Sequence, residues 1–199
     1  MEKEASRPHS AIKTPSRRGG TNSSARRNAH HFTRPKENRP SSYQAPETKQ
    51  GEPSLRVFCL GGLEEVGRNM TVLEYGDHIL IIDMGLQFPE EDMPGIDYII
   101  PNIGYLKGKE KNIVGVVITH AHYDHIGGIP HLIPRLGNPP IYGTDLTLAI
   151  IKKRQEEYKD ISSKLELHQI TKDSDLSLGV FKLEFFNVSH NIPAAVGVI

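Results

Sequence analysis

The sequence of 199 residues has one cysteine, no tryptophan and no long apolar run. A single cysteine excludes a disulfide within the chain. Cys59 lies in an apolar run at residues 55–60, where a buried and unreactive thiol is expected. No run approaches the roughly 18 apolar residues needed to cross a bilayer, and no apolar core follows a charged start as in a secretory signal. We therefore expect a soluble, cytoplasmic protein with no membrane partner.

The neutral total charge conceals two unlike parts of the chain. Residues 1–54 carry 11 Lys and Arg against 5 Asp and Glu, a net charge of +6, whereas residues 55–199 carry 13 against 19, a net charge of −6. Phe32 and Tyr43 are almost the only large apolar side chains of the first part, which cannot bury enough surface to offset the entropy of ordering. We predict a disordered basic extension over 1–54 and a folded domain over 55–199.

Three roles for the basic extension stay open on the sequence alone. Its Arg and Lys clusters are suited to nonspecific contact with phosphate backbones through counterion release. A solubilising segment without a ligand has the same composition. A transit peptide is also Arg-rich and Ser-rich, but Glu2 and Glu4 and the lack of an amphipathic stretch argue against it.

From residue 55 the chain shows short β-branched and apolar runs separated by glycine, which is typical of strands joined by turns. Gly76-Asp77 predicts a tight hairpin between the strands on either side of it. In the most C-terminal of the predicted strands, Phe181, Leu183 and Phe185 share one face. The predicted strands are residues 69–75, 78–83, 113–119, 164–168 and 180–188.

One segment, residues 144–158, predicts a helix with Thr144 as its cap. Leu146, Ile150 and Ile151 form its expected apolar side. The opposite face is expected to be solvated and carries Lys152, Lys153, Arg154, Glu156 and Glu157. Strands, a helix and strands again predict an α/β sandwich in which a mixed sheet packs against helices.

The densest group of chemically functional side chains follows the strand predicted at 113–119. In extended chain, His120 and His122 point the same way, so both imidazoles can converge on one ion. If the chain then turns, Asp124 and His125 can serve a second ion, and Gly127-Gly128 lets the backbone pass close by. Burying four such groups is costly unless a divalent cation compensates them, so this loop predicts a metal site.

The other histidines considered are isolated in the sequence. These are His78, His131 and His168. A lone histidine is more often a packed or surface residue than a ligand, so we expect structural roles for all three.

The spacing His120-x-His122-x-Asp124-His125 matches the HxHxDH motif of the metallo-β-lactamase superfamily, which the chain resembles. Four further segments are similar to the ribonuclease J branch of the β-CASP hydrolases: GGLEEVGRNM at 61–70, IDMGLQFP at 82–89, GID at 95–97 and SHNIP at 189–193. The resemblance covers residues 55–199. It implies an αββα metallo-β-lactamase fold with metals at one edge, incomplete in this chain.

The resemblance also implies a set of ligands for two Zn²⁺ ions per complete site. It makes His120, His122 and His190 ligands of one zinc, and Asp124 and His125 ligands of a second. Asp124 is further implied as a catalytic residue that steers the nucleophile.

Two supporting features follow from the same resemblance. Asp83 is implied to orient a ligand histidine through a hydrogen bond. Some members of the branch also hold a structural Ca²⁺, which here would use the main-chain oxygen of Gly95 and the carboxylate of Asp97.

In the family, two zinc ions lower the pKa of a shared water, and the resulting hydroxide attacks an RNA phosphodiester. The resemblance therefore implies a zinc-dependent ribonuclease with 5′-to-3′ exonuclease and endonuclease activity in RNA processing and decay. RNA is the implied partner, and a homo-oligomer is implied at full length. The family pattern also has a metal-bridging aspartate, a late histidine, a β-CASP insertion and a C-terminal domain, which this sequence does not contain. We expect this chain alone to be inactive.

Two other functions are compatible with these residues. One is an RNA-binding or assembly fragment without catalysis, acting through the basic extension. The other is a hydrolase of a small molecule on the same fold, because HxHxDH marks the superfamily rather than the substrate.

Overall fold

The computed structural model describes residues 53–158 and 164–199. Apart from its last two residues, the extension predicted to be disordered lies outside the described residues. That prediction therefore stays a prediction.

One mixed sheet of six strands forms the centre of the described part. Its strands lie side by side in chain order: β1 (Arg56–Gly61), β2 (Met70–Tyr75), β3 (His78–Ile82), β4 (Ile113–Val117), β5 (Ile141–Gly143) and β6 (Leu167–Gln169). The first three strands are antiparallel, and β2 and β3 join at the predicted turn. From β3 to β6 the strands are parallel. The strands expected at 69–75, 78–83 and 113–119 are confirmed with slightly shorter bounds, whereas the one expected at 164–168 begins only at Leu167.

Both faces of the central strands are buried, as the apolar runs of β3 and β4 require. Because successive side chains point to opposite faces, Ile79 and Val116 enter one apolar cluster and Leu80 and Val117 enter another. The first cluster packs against the helices, and the second packs against the short strands that follow β6. The sheet is thus sandwiched, and the arrangement is an incomplete α/β sandwich.

Three helices and four further strands complete the described part. The helices are α1 (Tyr123–Ile126), α2 (Ile129–Leu132) and α3 (Asp145–Gln155). The strands form two antiparallel pairs, β7 (Leu176–Leu178) with β8 (Phe181–Leu183) and β9 (Phe185–Asn187) with β10 (Val196–Val198). Single 3₁₀ turns lie at Gly104–Leu106, Glu110–Asn112, Ile133–Leu136 and Glu156–Tyr158.

The helix expected at 144–158 is confirmed as α3 and the 3₁₀ turn after it, but its buried face differs from the prediction. Thr147 and Ile151, one helical turn apart, are buried, whereas Leu146 and Ile150 are half-buried. Thr144 is the N-cap, but its hydroxyl bonds to the Ala194 carbonyl and to the Thr147 hydroxyl instead of to a backbone N–H of the first turn. The Thr144 contact ties α3 to the segment before β10.

Arg154 departs from the predicted charged face of α3. Its guanidinium carbon lies 4.2 Å from the centre of the Tyr123 ring, and the side chain is half-buried. The other four charged residues of that face are exposed, as expected: Lys152, Lys153, Glu156 and Glu157.

The strand predicted over 180–188 is two strands, because the chain changes its pairing partner at Glu184. Before Glu184 the chain pairs with β7, and after it with β10. Glu184 itself exchanges two backbone hydrogen bonds with Ile199, of 3.0 and 2.9 Å. The predicted common face is retained, since Leu183 and Phe185 are buried in one cluster and Phe181 packs against it.

Cys59 is half-buried on the edge strand β1, so the expectation of a buried thiol is wrong. Its sulfur lies 3.5 Å from the hydroxyl of Thr71 on the neighbouring strand. An edge strand has only one neighbour to cover it, which explains the partial exposure.

Among the described residues, no helix combines the length and apolar character that crossing a membrane requires.

Candidate metal centre

The predicted metal loop lies at the carboxyl end of β4, where the chain leaves the sheet and enters α1. His120 is 8% exposed and lies just beyond the buried end of β4. His122 is still extended, with φ −70° and ψ 151°, and forms the N-cap of α1. Asp124 and His125 lie on the single turn that follows. The predicted change from extended chain to a turn therefore occurs between His122 and Asp124.

Three histidines bring their ring nitrogens to one point. His122 Nδ1 lies 3.1 Å from His120 Nε2 and 3.0 Å from His190 Nε2, and all three nitrogens lie within 4.8 Å of one another. Tetrahedral zinc holds nitrogen ligands at about 2.0 to 2.1 Å, which places them roughly 3.3 Å apart. The observed separations fit such an ion, and this cluster is a candidate site for a divalent metal.

His190 reaches the cluster from a distant part of the chain. It lies in the turn between β9 and β10, is exposed, and is 68 positions from His122 in sequence. Among the residues that the structure describes, no other group of three or more His, Cys, Asp or Glu side chains converges in this way.

Asp124 and His125 form a pair of candidate ligands beside the three histidines. Asp124 Oδ2 lies 3.4 Å from His125 Nε2, a separation that also suits two ligands of one tetrahedral ion. The ring centre of His125 lies 4.1 Å from that of His120, so the two positions adjoin. Within the described ranges this second position has two candidate ligands, whereas the first has three.

The carboxylate of Asp83 connects the two positions. It accepts hydrogen bonds from His125 Nδ1 at 2.7 Å, from the Thr119 backbone N–H at 2.8 Å and from the Thr119 hydroxyl at 2.9 and 3.0 Å. The Thr119 oxygen also lies 2.9 Å from His120 Nδ1. Asp83 itself has a left-handed φ of 62°, directly after β3.

These contacts determine which ring nitrogens carry protons. A carboxylate only accepts hydrogen bonds, so His125 Nδ1 and the Thr119 hydroxyl both donate to Asp83. The Thr119 oxygen is then left to accept from His120 Nδ1. When the rings are neutral, the Nε2 atoms of His120 and His125 therefore keep their lone pairs, which is the form that binds a metal.

The two histidines that Asp83 supports differ in their protonation equilibria. Burial and the nearby His125 ring lower the pKa of His120 to about 4, against the opposing effect of the Asp83 charge. For His125, burial also disfavours the charged ring, but the hydrogen bond and charge of Asp83 outweigh it and raise the pKa above its usual value. The His120 ring is thus neutral at physiological pH, whereas the His125 ring is protonated more often.

Backbone hydrogen bonds from the segment after β3 hold the metal loop. Met84 N–H donates to the His125 carbonyl at 2.8 Å, and Gly128 N–H donates to the Met84 carbonyl at 2.9 Å. A Cβ on Gly85 would lie 1.6 Å from the Asp124 carbonyl oxygen, and one on Gly128 would lie 2.5 Å from the Gly85 oxygen. The glycines thus allow close packing of two backbone segments, and Gly128 lies against Gly85.

Within residues 53–158 and 164–199, the two candidate calcium residues do not converge with further acidic ligands. Gly95 has a left-handed φ of 82° and Asp97 is exposed. Neither belongs to the converging group found among the described residues. The calcium assignment stays a prediction.

The histidines expected to be structural lie outside the metal cluster. His131 is buried and stacks on Tyr98 at 4.3 Å. His168 stacks on Tyr142 at 4.9 Å and lies 2.8 Å from a Glu166 oxygen. His78 on β3 is half-buried.

Sequence reasoning missed two residues that contact the candidate ligands. Thr119 bridges Asp83 and His120, and its position directly before the first histidine is a signal that could have identified it. Asn69 donates its side-chain amide to Asp124, a residue 55 positions away. No local pattern around Asn69 indicates that contact.

Comparison with known proteins identifies the class. A family model described as the metallo-beta-lactamase superfamily matches residues 63–191, which contain every histidine and aspartate of the candidate centre. The chain belongs to the metallo-β-lactamase superfamily.

Within that superfamily the chain is similar to ribonucleases J, as the sequence motifs predicted. It is 41% identical to Ribonuclease J 1 of Streptococcus pyogenes serotype M3, over 72% of this chain and 25% of the relative. It is 39% identical to Ribonuclease J of Thermus thermophilus, over 77% and 28%. It is 37% identical to Ribonuclease J2 of Bacillus subtilis, over 75% and 27%. The alignments thus span about a quarter of the length of these relatives.

A solved structure shares the fold at low sequence identity. The crystal structure of a protein of unknown function from Enterococcus faecalis V583 superimposes with a TM-score of 0.54 at 17% identity. The match covers 72% of this chain and 40% of that one.

Proposed function

We propose that this chain carries the metal-binding part of a zinc-dependent ribonuclease. The observation that supports the proposal most directly is the convergence of His120, His122 and His190, next to Asp124 and His125, on the loop after β4. The similarity to ribonucleases J indicates RNA as the substrate rather than a small molecule.

Zinc is the proposed cation because three imidazole nitrogens and a carboxylate are ligands that it prefers. His120, His122 and His190 would hold one ion, and Asp124 and His125 would contribute to a second. A pair of such cations, when bound, activates water and neutralises negative charge on a phosphodiester.

The residues of this chain prepare the site for that chemistry. Asp83 and Thr119 fix the protonation of two histidine rings, as their hydrogen bonds require. The Asp124 side chain is 40% exposed, so its carboxylate can face both a cation and an incoming water molecule. We propose that Asp124 orients the attacking water by accepting a hydrogen bond from it.

For the whole protein we propose both 5′-to-3′ exonuclease and endonuclease activity, a role in RNA processing and decay, a cytoplasmic location and assembly as a homo-oligomer. This chain alone is expected to bind metal without cleaving RNA, because the second position has only Asp124 and His125 as ligands within the described ranges.

Metal content of the purified chain tests the proposed centre. Mass spectrometry is expected to find about one zinc per chain, and the double substitution His120→Ala, His122→Ala should remove it. His168→Ala is the matched control, because His168 is exposed and outside the cluster. Absence of zinc from the wild-type chain, or its retention in the double variant, would refute the centre.

Substrate class is tested separately on a full-length protein containing this sequence. We expect cleavage of RNA that carries a 5′-monophosphate, and loss of that cleavage in His120→Ala. Hydrolysis of a β-lactam or a thioester without RNA cleavage would instead favour a small-molecule hydrolase of the same fold.

A second candidate function, RNA binding without catalysis, is favoured by the net charge of +6 in residues 1–54. Such binding would weaken steeply with added salt, because it depends on counterion release. RNA affinity of the chain with and without residues 1–54 discriminates the two. Binding lost on deletion and unaffected by His120→Ala would support this second function.

A further inference from the structure

We propose that Asn69 is a positioning residue for the second cation, holding the Asp124 carboxylate beside His125. The inference rests on the proposed function, because it concerns the same metal centre. Asn69 lies just before β2, outside the metal loop, and its side chain crosses to that loop.

The side-chain nitrogen of Asn69 meets three atoms of the metal loop. Nδ2 lies 3.0 Å from the Asp124 carbonyl oxygen, 3.1 Å from Asp124 Oδ2 and 3.3 Å from His125 Nε2. The two oxygens can only accept hydrogen bonds. The amide nitrogen, rather than its oxygen, must therefore face the loop. Among the described residues, Asn69 forms a hydrogen bond and His125 an ion pair with the Asp124 carboxylate.

Asn69 is itself held on both sides. Its backbone N–H donates to the Asp124 carbonyl at 3.0 Å, and its own carbonyl accepts from Gly85 N–H at 2.9 Å. On the other side of the amide, a Cβ on Gly62 would lie 2.3 Å from Asn69 Oδ1. The absence of a Cβ at Gly62 therefore makes room for the amide oxygen.

This arrangement prepares Asp124 for a cation in two ways. The Asp124 side chain is 40% exposed and would otherwise be free to rotate, so a fixed donor lowers the entropy lost when the carboxylate binds an ion. The two amide hydrogens are also matched by two oxygens of Asp124. The neutral His125 ring then keeps its Nε2 lone pair for the metal, because its Nδ1 donates to Asp83. Asn69 adds neither a charge nor a competing carboxylate ligand.

Zinc titration of the isotope-labelled 199-residue chain, followed by NMR of the histidine side chains, tests the proposal. In the wild type, signals of His120, His122 and His190 should shift at low zinc, and the His125 Nε2 signal should shift in a weaker second step. Asn69→Leu keeps the volume and removes the donor. It should weaken the His125 step by about 10- to 100-fold, while the three-histidine step changes by less than about threefold.

The possible outcomes separate this inference from the proposed function. If the wild type shows no three-histidine step, the metal centre itself is refuted. If that step is present but His125 takes no zinc in the wild type, the positioning role of Asn69 is overturned. Equal weakening of both steps in Asn69→Leu, or no weakening of either, also overturns it.

A measurement on the unaltered chain covers the case in which Asn69→Leu does not fold. The side-chain NH₂ signals of Asn69 are expected to shift during the His125 step and to exchange slowly with solvent. Asn102 provides the reference, because its side-chain oxygen accepts a hydrogen bond from Gly104 in an exposed turn. Asn69 signals that do not respond in the His125 step would overturn the proposal.

Discussion

Asp83 Oδ2 accepts a hydrogen bond of 2.7 Å from His125 Nδ1. The same carboxylate accepts the Thr119 hydroxyl, and that hydroxyl accepts from His120 Nδ1. One buried carboxylate, 6% exposed, therefore determines the orientation of one histidine from each candidate metal position. Loss of any one of these hydrogen bonds should change metal affinity more than it changes the fold.

Thr119→Val is the sharpest test of that connection. Valine keeps the branched shape but has no oxygen to accept from His120 Nδ1, so the ring loses its fixed orientation. We expect zinc affinity, measured by competition with a chelator, to fall by about 10- to 100-fold. Thr119→Ser keeps the hydroxyl and should bind zinc within a few-fold of the wild type. Equal affinity of the wild type and Thr119→Val would show that the hydroxyl does not orient His120.

The low pKa of His120, about 4, predicts an acid-dependent stability of the metal-free protein. An unfolded imidazole titrates near 6.5, so between about pH 4 and 6.5 His120 binds more protons in the unfolded chain than in the folded one. The folded state should therefore lose about 2 kcal/mol through His120 as the pH falls from 7 to 5. His125, with its raised pKa, contributes in the opposite direction, since its stabilisation is lost as the pH rises above about 6.5.

Urea unfolding in excess chelator, at pH 7 and at pH 5, isolates the contribution of His120. Between pH 7 and pH 5, the free energy of unfolding of the wild type should fall by about 2 kcal/mol more than that of His120→Asn. Identical pH dependences of the two proteins would contradict the burial argument.

The metal loop could be predicted from sequence because its information is local. An apolar strand followed by His120, His122, Asp124 and His125 places four potential ligand residues within six positions, and period-two alternation puts the first two on one side. His190 could be inferred only through family resemblance, since it is 68 positions from His122 and lies in an exposed turn. Its proximity to His122 depends on how β9 and β10 pack against the sheet.

Other features depend on contacts that sequence patterns do not encode. Residues 180–188 read as one strand because Phe181, Leu183 and Phe185 alternate with polar residues, yet Glu184 marks a change of pairing partner. The buried face of α3 is set by what lies beneath it, so Thr147 is buried where Leu146 was expected. Asn69 reaches Asp124 because Gly85, which has no Cβ, fits between the backbones of Asn69 and Asp124. These three residues belong to segments that are far apart in the sequence.

Gly85→Ala should disrupt the metal loop through its backbone. The added Cβ would lie 1.6 Å from the Asp124 carbonyl oxygen and 2.8 Å from the Asn69 nitrogen, and neither backbone atom can rotate away. We expect the free energy of unfolding to fall by about 3 kcal/mol. Gly104→Ala is the matched control, because the nearest atom there is the Asn102 side-chain oxygen at 3.1 Å. Similar unfolding free energies for the two variants, from urea titration, would contradict the predicted clash.

Glu74, on β2 far along the sheet from the metal loop, predicts a second and separate pH effect. Its carboxylate accepts hydrogen bonds from Lys109 Nζ at 2.7 Å, from Arg56 Nη1 at 2.9 Å and from the Tyr105 hydroxyl. Burial alone would raise the pKa of Glu74, but the hydrogen bonds from Lys109 and Tyr105 outweigh it and lower the pKa. A lowered folded pKa means that this stabilisation is present above about pH 4.5 and is lost as the pH falls through the folded pKa.

Glu74→Gln removes the charge while keeping one acceptor oxygen. We expect the variant to be about 1 to 2 kcal/mol less stable than the wild type at pH 7, with the difference shrinking as the pH falls below about 4. Glu166→Gln, at an exposed position, should change stability by less than about 0.5 kcal/mol. Urea unfolding across this pH range measures both variants. A Glu74→Gln difference that stays constant with pH would mean that packing, rather than the charge of Glu74, links β1 and β2 to the segment containing Tyr105 and Lys109.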